Sequence, residues 1–129
     1  MSDYLDNLKL KKFIFYRVPK ELFTNEKYTD ISAEAKLLYG MLLDKMSLSE
    51  MNGWKEEEGV VFQYFTIQSV QKLFKIGHDK AGKLFKELEK VELIERKSQG
   101  IGRTYKIYLK AFQEETEEKT EEKAESFFL

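Results

Sequence analysis

Thr66-Ile67-Gln68-Ser69-Val70-Gln71-Lys72-Leu73-Phe74, then Lys75-Ile76-Gly77, then His78-Asp79-Lys80-Ala81-Gly82-Lys83-Leu84-Phe85-Lys86-Glu87-Leu88-Glu89-Lys90-Val91 is the stretch that decides the fold. Thr66 is a residue type that caps helices, because its hydroxyl can accept a first-turn N–H. Behind it Ile67, Val70, Leu73 and Phe74 recur at helical spacing and provide an inward side. Lys75 to Gly77 is long enough only for a tight turn, and Gly77 is expected to supply a positive φ there. A second helix is expected over 78–91. At about 100° per residue, Ala81, Leu84, Phe85 and Leu88 gather on one side of it. Asp79, Lys83, Lys86 and Lys90 fall opposite, with Lys80 and Glu87 on a flank.

Downstream, Leu93 to Lys97 and Thr104 to Leu109 read as strands. Ser98 to Arg103, which contains Gly100 and Gly102, is the hairpin loop between them. Two helices joined by a tight turn and followed by a hairpin make a winged helix-turn-helix, in the α+β class. Upstream, Ser32 is a good cap, and Glu34 in the first turn suits the positive end of a helix. Ala35, Leu38, Leu42 and Met46, with Leu37, Met41 and Leu43 beside them, predict a helix over Ala33–Met46. The aromatic and β-branched run Phe13 to Val18, closed by Pro19, reads as a short strand, and Lys20 to Phe23 as a helical turn. Asn52-Gly53 is a turn, Glu56 to Glu58 a solvated loop, and Val60 to Phe65 a buried strand. Trp54 is expected to cover the core, with a partner surface as the alternative. There is no internal repeat.

The formal net charge of −1 averages two different objects. Residues 113–129 carry seven Glu and two Lys and no apolar periodicity before Phe127-Phe128-Leu129. They are read as a disordered acidic tail after a single domain at 1–112. Within that domain, residues 1–65 hold 9 basic and 11 acidic groups, whereas 66–112 hold 11 and 5, a net of +6. A half of this sign points to a polyanion as its partner.

Other chemistry is poorly served. The sequence contains no Cys and one His, so disulfides, Cys-based zinc sites and His-based metal sites or relays are excluded. Glu56-Glu57-Glu58 lacks the alternating spacing of a calcium loop. Gly100-Ile101-Gly102 stands in a hairpin and is not a phosphate-binding loop. We therefore expect no metal, no cofactor and no enzymatic activity. No apolar run reaches the ~20 residues a membrane span requires. The acidic start Met1-Ser2-Asp3-Tyr4-Leu5-Asp6 lacks the layout of a signal peptide, which suits a cytoplasmic protein.

The expected partner is double-stranded DNA. On the second helix, Lys83, Lys86 and Lys90 lie in line as a phosphate track. His78, Asp79 and Lys80 stand at its start, where base edges come within reach. Arg96, Lys97, Arg103 and Lys106 make the wing basic, and Thr66 and Gln68 at the start of the first helix are candidates for the DNA backbone. A lysine-rich helix face is in most proteins merely solvated; here the basic wing in the same +6 half adds weight to a contact.

These residues also resemble a known family. Phe15-Tyr16-Arg17-Val18-Pro19-Lys20, Ala35-Lys36-Leu37-Leu38-Tyr39-Gly40-Met41-Leu42-Leu43-Asp44 and Asn52-Gly53-Trp54 are similar to the N-terminal domain of RepA-type plasmid replication initiators of low-GC Gram-positive bacteria. Lys80-Ala81-Gly82-Lys83-Leu84, Leu93-Ile94-Glu95-Arg96-Lys97 and Gly100 continue the likeness, which runs from about Phe13 to Phe112. It implies a winged-helix domain that binds repeated sites in a plasmid origin, commonly as a homodimer. By position, Lys80 and Lys83 lie on the DNA-reading helix, and Lys97 and Arg103 on the wing. Family initiators continue into a C-terminal domain that engages host replication proteins, whereas the acidic segment stands in its place here. Two other readings stay open: a winged-helix transcriptional regulator, and a protein-interaction adaptor working through its acidic tail, for which a solubilising tail is the plainer account.

Overall fold

Ser32 opens the longest element of the molecule. In the computed structural model, which describes residues 3–56 and 58–112, its hydroxyl accepts the Ala35 N–H at 3.1 Å. The helix so started is Ala33–Met51, five residues longer than its apolar pattern predicts. It ends at Asn52, and Gly53 turns the chain with φ of 77°. The acidic tail, with Phe127-Phe128-Leu129, and Glu57 lie outside the described residues.

The elements run α1 (Asn7–Leu10), α2 (Glu21–Thr24), α3 (Ala33–Met51), α4 (Ile67–Phe74), α5 (His78–Lys90), β1 (Ile94–Lys97) and β2 (Lys106–Leu109). The helix pair and the hairpin follow in the order expected of a winged helix. Strands β1 and β2 are antiparallel, with Ile94 opposite Leu109 and Arg96 opposite Ile107. Leu38 and Leu42 of α3, Val70 of α4, Leu84, Phe85 and Leu88 of α5, and Ile94 and Ile107 of the hairpin share one core with Leu22 and Tyr28. Helix α3 serves two neighbours. Leu38 and Leu42 face the core, while Gly40 receives the N-terminal segment so closely that a Cβ would meet the Arg17 carbonyl oxygen at 2.9 Å.

Several expectations are corrected. Phe13 to Val18 is extended but not a strand: among the described residues, no backbone hydrogen bond reaches Ile14 to Val18. Aromatic and β-branched residues suit a pleated, half-buried surface, but a strand forms only against a partner, and here Phe13 to Tyr16 are exposed. Val60 to Phe65 is reduced to two isolated bridges, Lys55 to Val61 and Gln63 to Ile107. Gln63 meets β2 at that one pair, and its side-chain amide donates to the Leu42 carbonyl at 2.8 Å, tying the segment to α3. Phe62 and Tyr64 on either side pack as aromatics, and Trp54 stands edge-on to Tyr64 at 5.3 Å, in an aromatic group apart from the main core cluster that it was expected to cover.

Ahead of the Phe13 to Val18 run stands α1, capped by the Asp6 carboxylate, which accepts the Lys9 N–H at 2.9 Å. Leu73 is half-exposed, because Ile67, Val70 and Phe74 centre the buried side of α4 well away from it. In the turn, the left-handed residue is Lys75, with φ of 56°, and not Gly77. Lys75 stands at the C-cap, where a helix most often reverses. Gly77, with φ of −75°, is the extended N-cap of α5.

Candidate nucleic-acid interface

The interface is built around α5. Ala81, Leu84, Phe85 and Leu88 are buried, which fixes the helix about its own axis and turns Asp79, Lys83, Lys86 and Lys90 to solvent. Each flank of the helix is then tied down. On the α3 side, the Glu87 carboxylate accepts the Ser32 N–H at 2.8 Å and its hydroxyl at 2.9 Å. On the same flank Lys80 pairs with Glu34 at 2.9 Å, and the ammonium holds the Glu34 carboxyl below its ordinary range. On the hairpin side, Arg96 grips one oxygen of Glu89 through Nε at 3.0 Å and Nη2 at 2.6 Å. Its guanidinium also lies over the rings of Phe85 and Tyr105, at 5.1 and 5.4 Å. Charge-assisted bonds and stacking of this kind fix a geometry as well as an energy.

The predicted basic residues therefore separate into two groups. Lys83, Lys86 and Lys90 are exposed and make no ion pair among the described residues. Arg96, whose side chain is 16% exposed, is turned inward and braces the wing against α5. Lys80 is held by Glu34 at the edge of the exposed stripe. Lys106 pairs with Glu56 at 3.0 Å and lies over the Phe62 ring at 4.3 Å. The Tyr108 hydroxyl donates to the same Glu56 oxygen at 2.5 Å. These two donors, hydroxyl first, draw the Glu56 carboxyl below its ordinary range, while burial and Glu56 push Tyr108 up to about 12. Lys97 is exposed and lies over the Tyr108 ring at 4.8 Å.

The hairpin loop turns through Gly100 and Gly102, with φ of 118° and 78°, and leaves Ile101 at its tip fully in solvent. Between the loop and the start of α4 is a cleft of about 260 Å³, walled in part by Thr66, Gln68, His78, Arg103 and Tyr105. Thr66 caps α4 as expected, its hydroxyl accepting the Ser69 N–H at 3.0 Å. The N–H groups of Ile67 and Gln68 have no partner among the described residues and sit at the positive end of the helix. Exposed His78 has Asp79 beside it at 3.6 Å. Thus Gln68, His78 and Arg103 come together at one cleft, the lysine stripe forms a second feature, and Arg96 and Lys106 belong to the scaffold. The acidic partners Glu34, Glu56 and Glu89 were missed in the sequence, where nothing in their spacing marks them.

Comparison with known proteins bears on this arrangement. The model of the replication initiator protein A (RepA) N-terminus matches residues 14–122. The chain belongs to that family. Solved structures are similar over nearly the whole RepA N-terminus domain described here. One described as the N-terminal domain of a DNA-binding protein is 26% identical, covers 99% of this chain and 96% of its own, and has a TM-score of 0.77. An MDR initiator is 30% identical, with coverage of 97% and 98% and a TM-score of 0.75. A Rep–DNA complex is 28% identical, with 97% of each chain covered and a TM-score of 0.76. A 41 kDa protein of Lactobacillus helveticus is 29% identical over 87 residues, 67% of this chain. The match takes in only 25% of that relative. The winged helix-turn-helix fold and the RepA family resemblance are both upheld. No helix among the described residues is long and apolar enough to cross a membrane.

Proposed function

We propose that this chain binds double-stranded DNA as the origin-recognising part of a plasmid or mobile-element replication initiator. The observation that carries the reading is the row of lysines without an ion pair among the described residues, Lys83, Lys86 and Lys90, on the outer side of an α5 braced along both flanks. A helix so held can enter a major groove without rolling, its lysines meeting phosphates and His78 and Asp79 leading toward base edges. The cleft at the start of α4 takes the adjacent backbone: Ile67, Gln68 and Arg103 wall it together, and two N–H groups at a helix start beside an arginine suit a phosphate. Lys97 and Arg103 carry the wing's contact. Membership of the RepA family and the likeness to a protein solved as a Rep–DNA complex support the origin as target.

The action proposed is binding, not catalysis, in the cytoplasm, by a homodimer; host replication proteins are the further partners the family resemblance implies. The domain is taken as 1–112, with 113–129 as an appended acidic segment. Selection of bound duplexes from a random pool tests the reading. Tandem repeats of one site are expected. A single promoter-type palindrome would favour a transcriptional regulator, and no enrichment of any duplex would refute DNA recognition.

A further inference from the structure

The outer line of α5 opens on a group of the opposite sign to the row behind it. At about 100° per residue, Asp79 lies within roughly 40° of Lys83, Lys86 and Lys90, so a carboxylate leads a row of ammonium groups. Glu34, Asp79 and Glu87 all line the recess between α5 and the start of α3. Two of these acids are satisfied within the fold: Glu34 pairs with Lys80 at 2.9 Å, and Glu87 accepts the Ser32 N–H and hydroxyl at 2.8 and 2.9 Å. Asp79 is fully exposed and, among the described residues, has only the exposed His78 beside it, at 3.6 Å. Lys83 stands one turn on, at the spacing where an acid and a lysine can pair along a helix, yet the two are not ion-paired.

A carboxylate in the first turn suits the positive end of a helix, and folding asks nothing more of it. Docking on a duplex sets a further demand. The lysines behind Asp79 are attracted to phosphates, whereas its carboxylate is repelled by them and loses water on contact, so it needs a donor. Residues at the start of a recognition helix come nearest to the base edges of the major groove. There guanine and thymine offer acceptors, and adenine sets its amino group beside an acceptor nitrogen. Cytosine alone presents a donor with no acceptor next to it.

We propose that Asp79 reads a cytosine, accepting a hydrogen bond from its N4 amino group in the major groove, and that this contact fixes one position of the recognised site. The inference rests on the DNA-binding reading above and adds a base identity to it. Asp79 also acts by exclusion, because opposite any other base its carboxylate meets a lone pair. Buried Ala81 and Leu84 hold this first turn against the domain, so the short side chain is delivered from a fixed backbone.

Selection from a random duplex pool tests the assignment, run with the full chain as wild type, Asp79→Ala and Asp79→Asn. The wild-type set should hold one invariant C·G pair that becomes unconstrained in Asp79→Ala. In Asp79→Asn it should turn to A·T, since an amide can accept from N6 and donate to N7 of adenine. Every other position should be unchanged. Replacing that cytosine in the selected duplex should weaken wild-type binding at least about fivefold and leave Asp79→Ala nearly unaffected. Asp79→Ala should bind an unrelated duplex no more weakly than the wild type, because a repelled charge has been removed; a damaged fold would lose every duplex alike. Three results would overturn the role of Asp79 while leaving DNA binding intact: an Asp79→Ala set identical to that of the wild type, an affected position other than C·G, or equal losses on selected and unrelated duplexes. Failure of the wild type to enrich any duplex would instead overturn the DNA reading, and this assignment with it.

Discussion

The outer side of α5 and the body of the wing are equally basic in sequence, yet they use their charge differently. Lys83, Lys86 and Lys90 face solvent and have no ion-pair partner among the described residues, whereas Arg96 and Lys106 are held by Glu89 and Glu56. What separates them is strand alternation. Arg96 shares the face of the hairpin that packs on α5, opposite Ile107, and Lys106 shares the other face with Tyr108, which rests on Phe62 and Glu56. A cation ion-paired on a packed face aligns the elements around it, as Arg96 and Lys106 do. Lys97, on the face of Lys106, is exposed and has no ion pair among the described residues. A cation on a helix's unpacked side is available to a ligand.

The largest effect expected on stability comes from breaking the brace. Arg96→Ala removes two charge-assisted bonds to Glu89 and the stacking on Phe85 and Tyr105. We expect a loss of about 1–3 kcal/mol in urea denaturation, below the cost of a fully buried pair because Glu89 is 33% exposed. Lys83→Ala, by contrast, should lie within about 0.5 kcal/mol of the wild type. If the two variants unfold alike, the distinction between brace and contact fails.

The reverse contrast is expected in DNA binding. Lys83→Ala should weaken duplex binding several-fold at low salt and Lys83→Glu by more, since one replaces an attraction with nothing and the other with repulsion. Lys106→Ala should weaken it less than Lys83→Ala, because Glu56 already neutralises that ammonium. Equal losses at Lys83 and Lys106 would show that Glu56 releases its partner to DNA.

A smaller effect concerns pH. The folded Glu56 carboxyl titrates below the ordinary 4.5, so its contribution to stability is present above that value and fades as pH falls through the lowered one. The Tm of Glu56→Gln should therefore lie below that of the wild type at neutral pH, and the two should converge under acid conditions. A constant gap down to strongly acid pH would argue against the Glu56 link to Tyr108 and Lys106. Smallest of all, Lys75→Gly should stabilise the turn by up to about 1 kcal/mol, since a left-handed backbone disfavours a side chain.

Much of this was legible from residue order. Thr66, the inward side of α5 and the loop from Ser98 to Arg103 each carry a local signal, in cap chemistry, helical period or turn composition, and the structure puts them where those signals indicate. Period alone also identified the exposed lysines. What stayed hidden depends on distant neighbours. Glu89 and Arg96 are seven residues apart, and Glu56 lies 50 from Lys106, so no local rule pairs them. Phe13 to Val18 has the composition of a strand, but composition cannot supply a partner strand. The turn misled for a narrower reason: glycine is the residue best suited to a left-handed backbone, and here Lys75 takes that position two residues earlier.

The salt dependence of duplex affinity tests the central claim most directly. Each lysine that meets a phosphate contributes about 0.9 to the slope of log affinity against log salt. Replacing Lys83, Lys86 and Lys90 together by Ala should reduce that slope by about 2.7, whereas Arg96→Gln should lower affinity with the slope nearly intact. An unchanged slope in the triple variant, or an equal reduction in Arg96→Gln, would contradict the assignment of contact to the α5 stripe and of brace to Arg96.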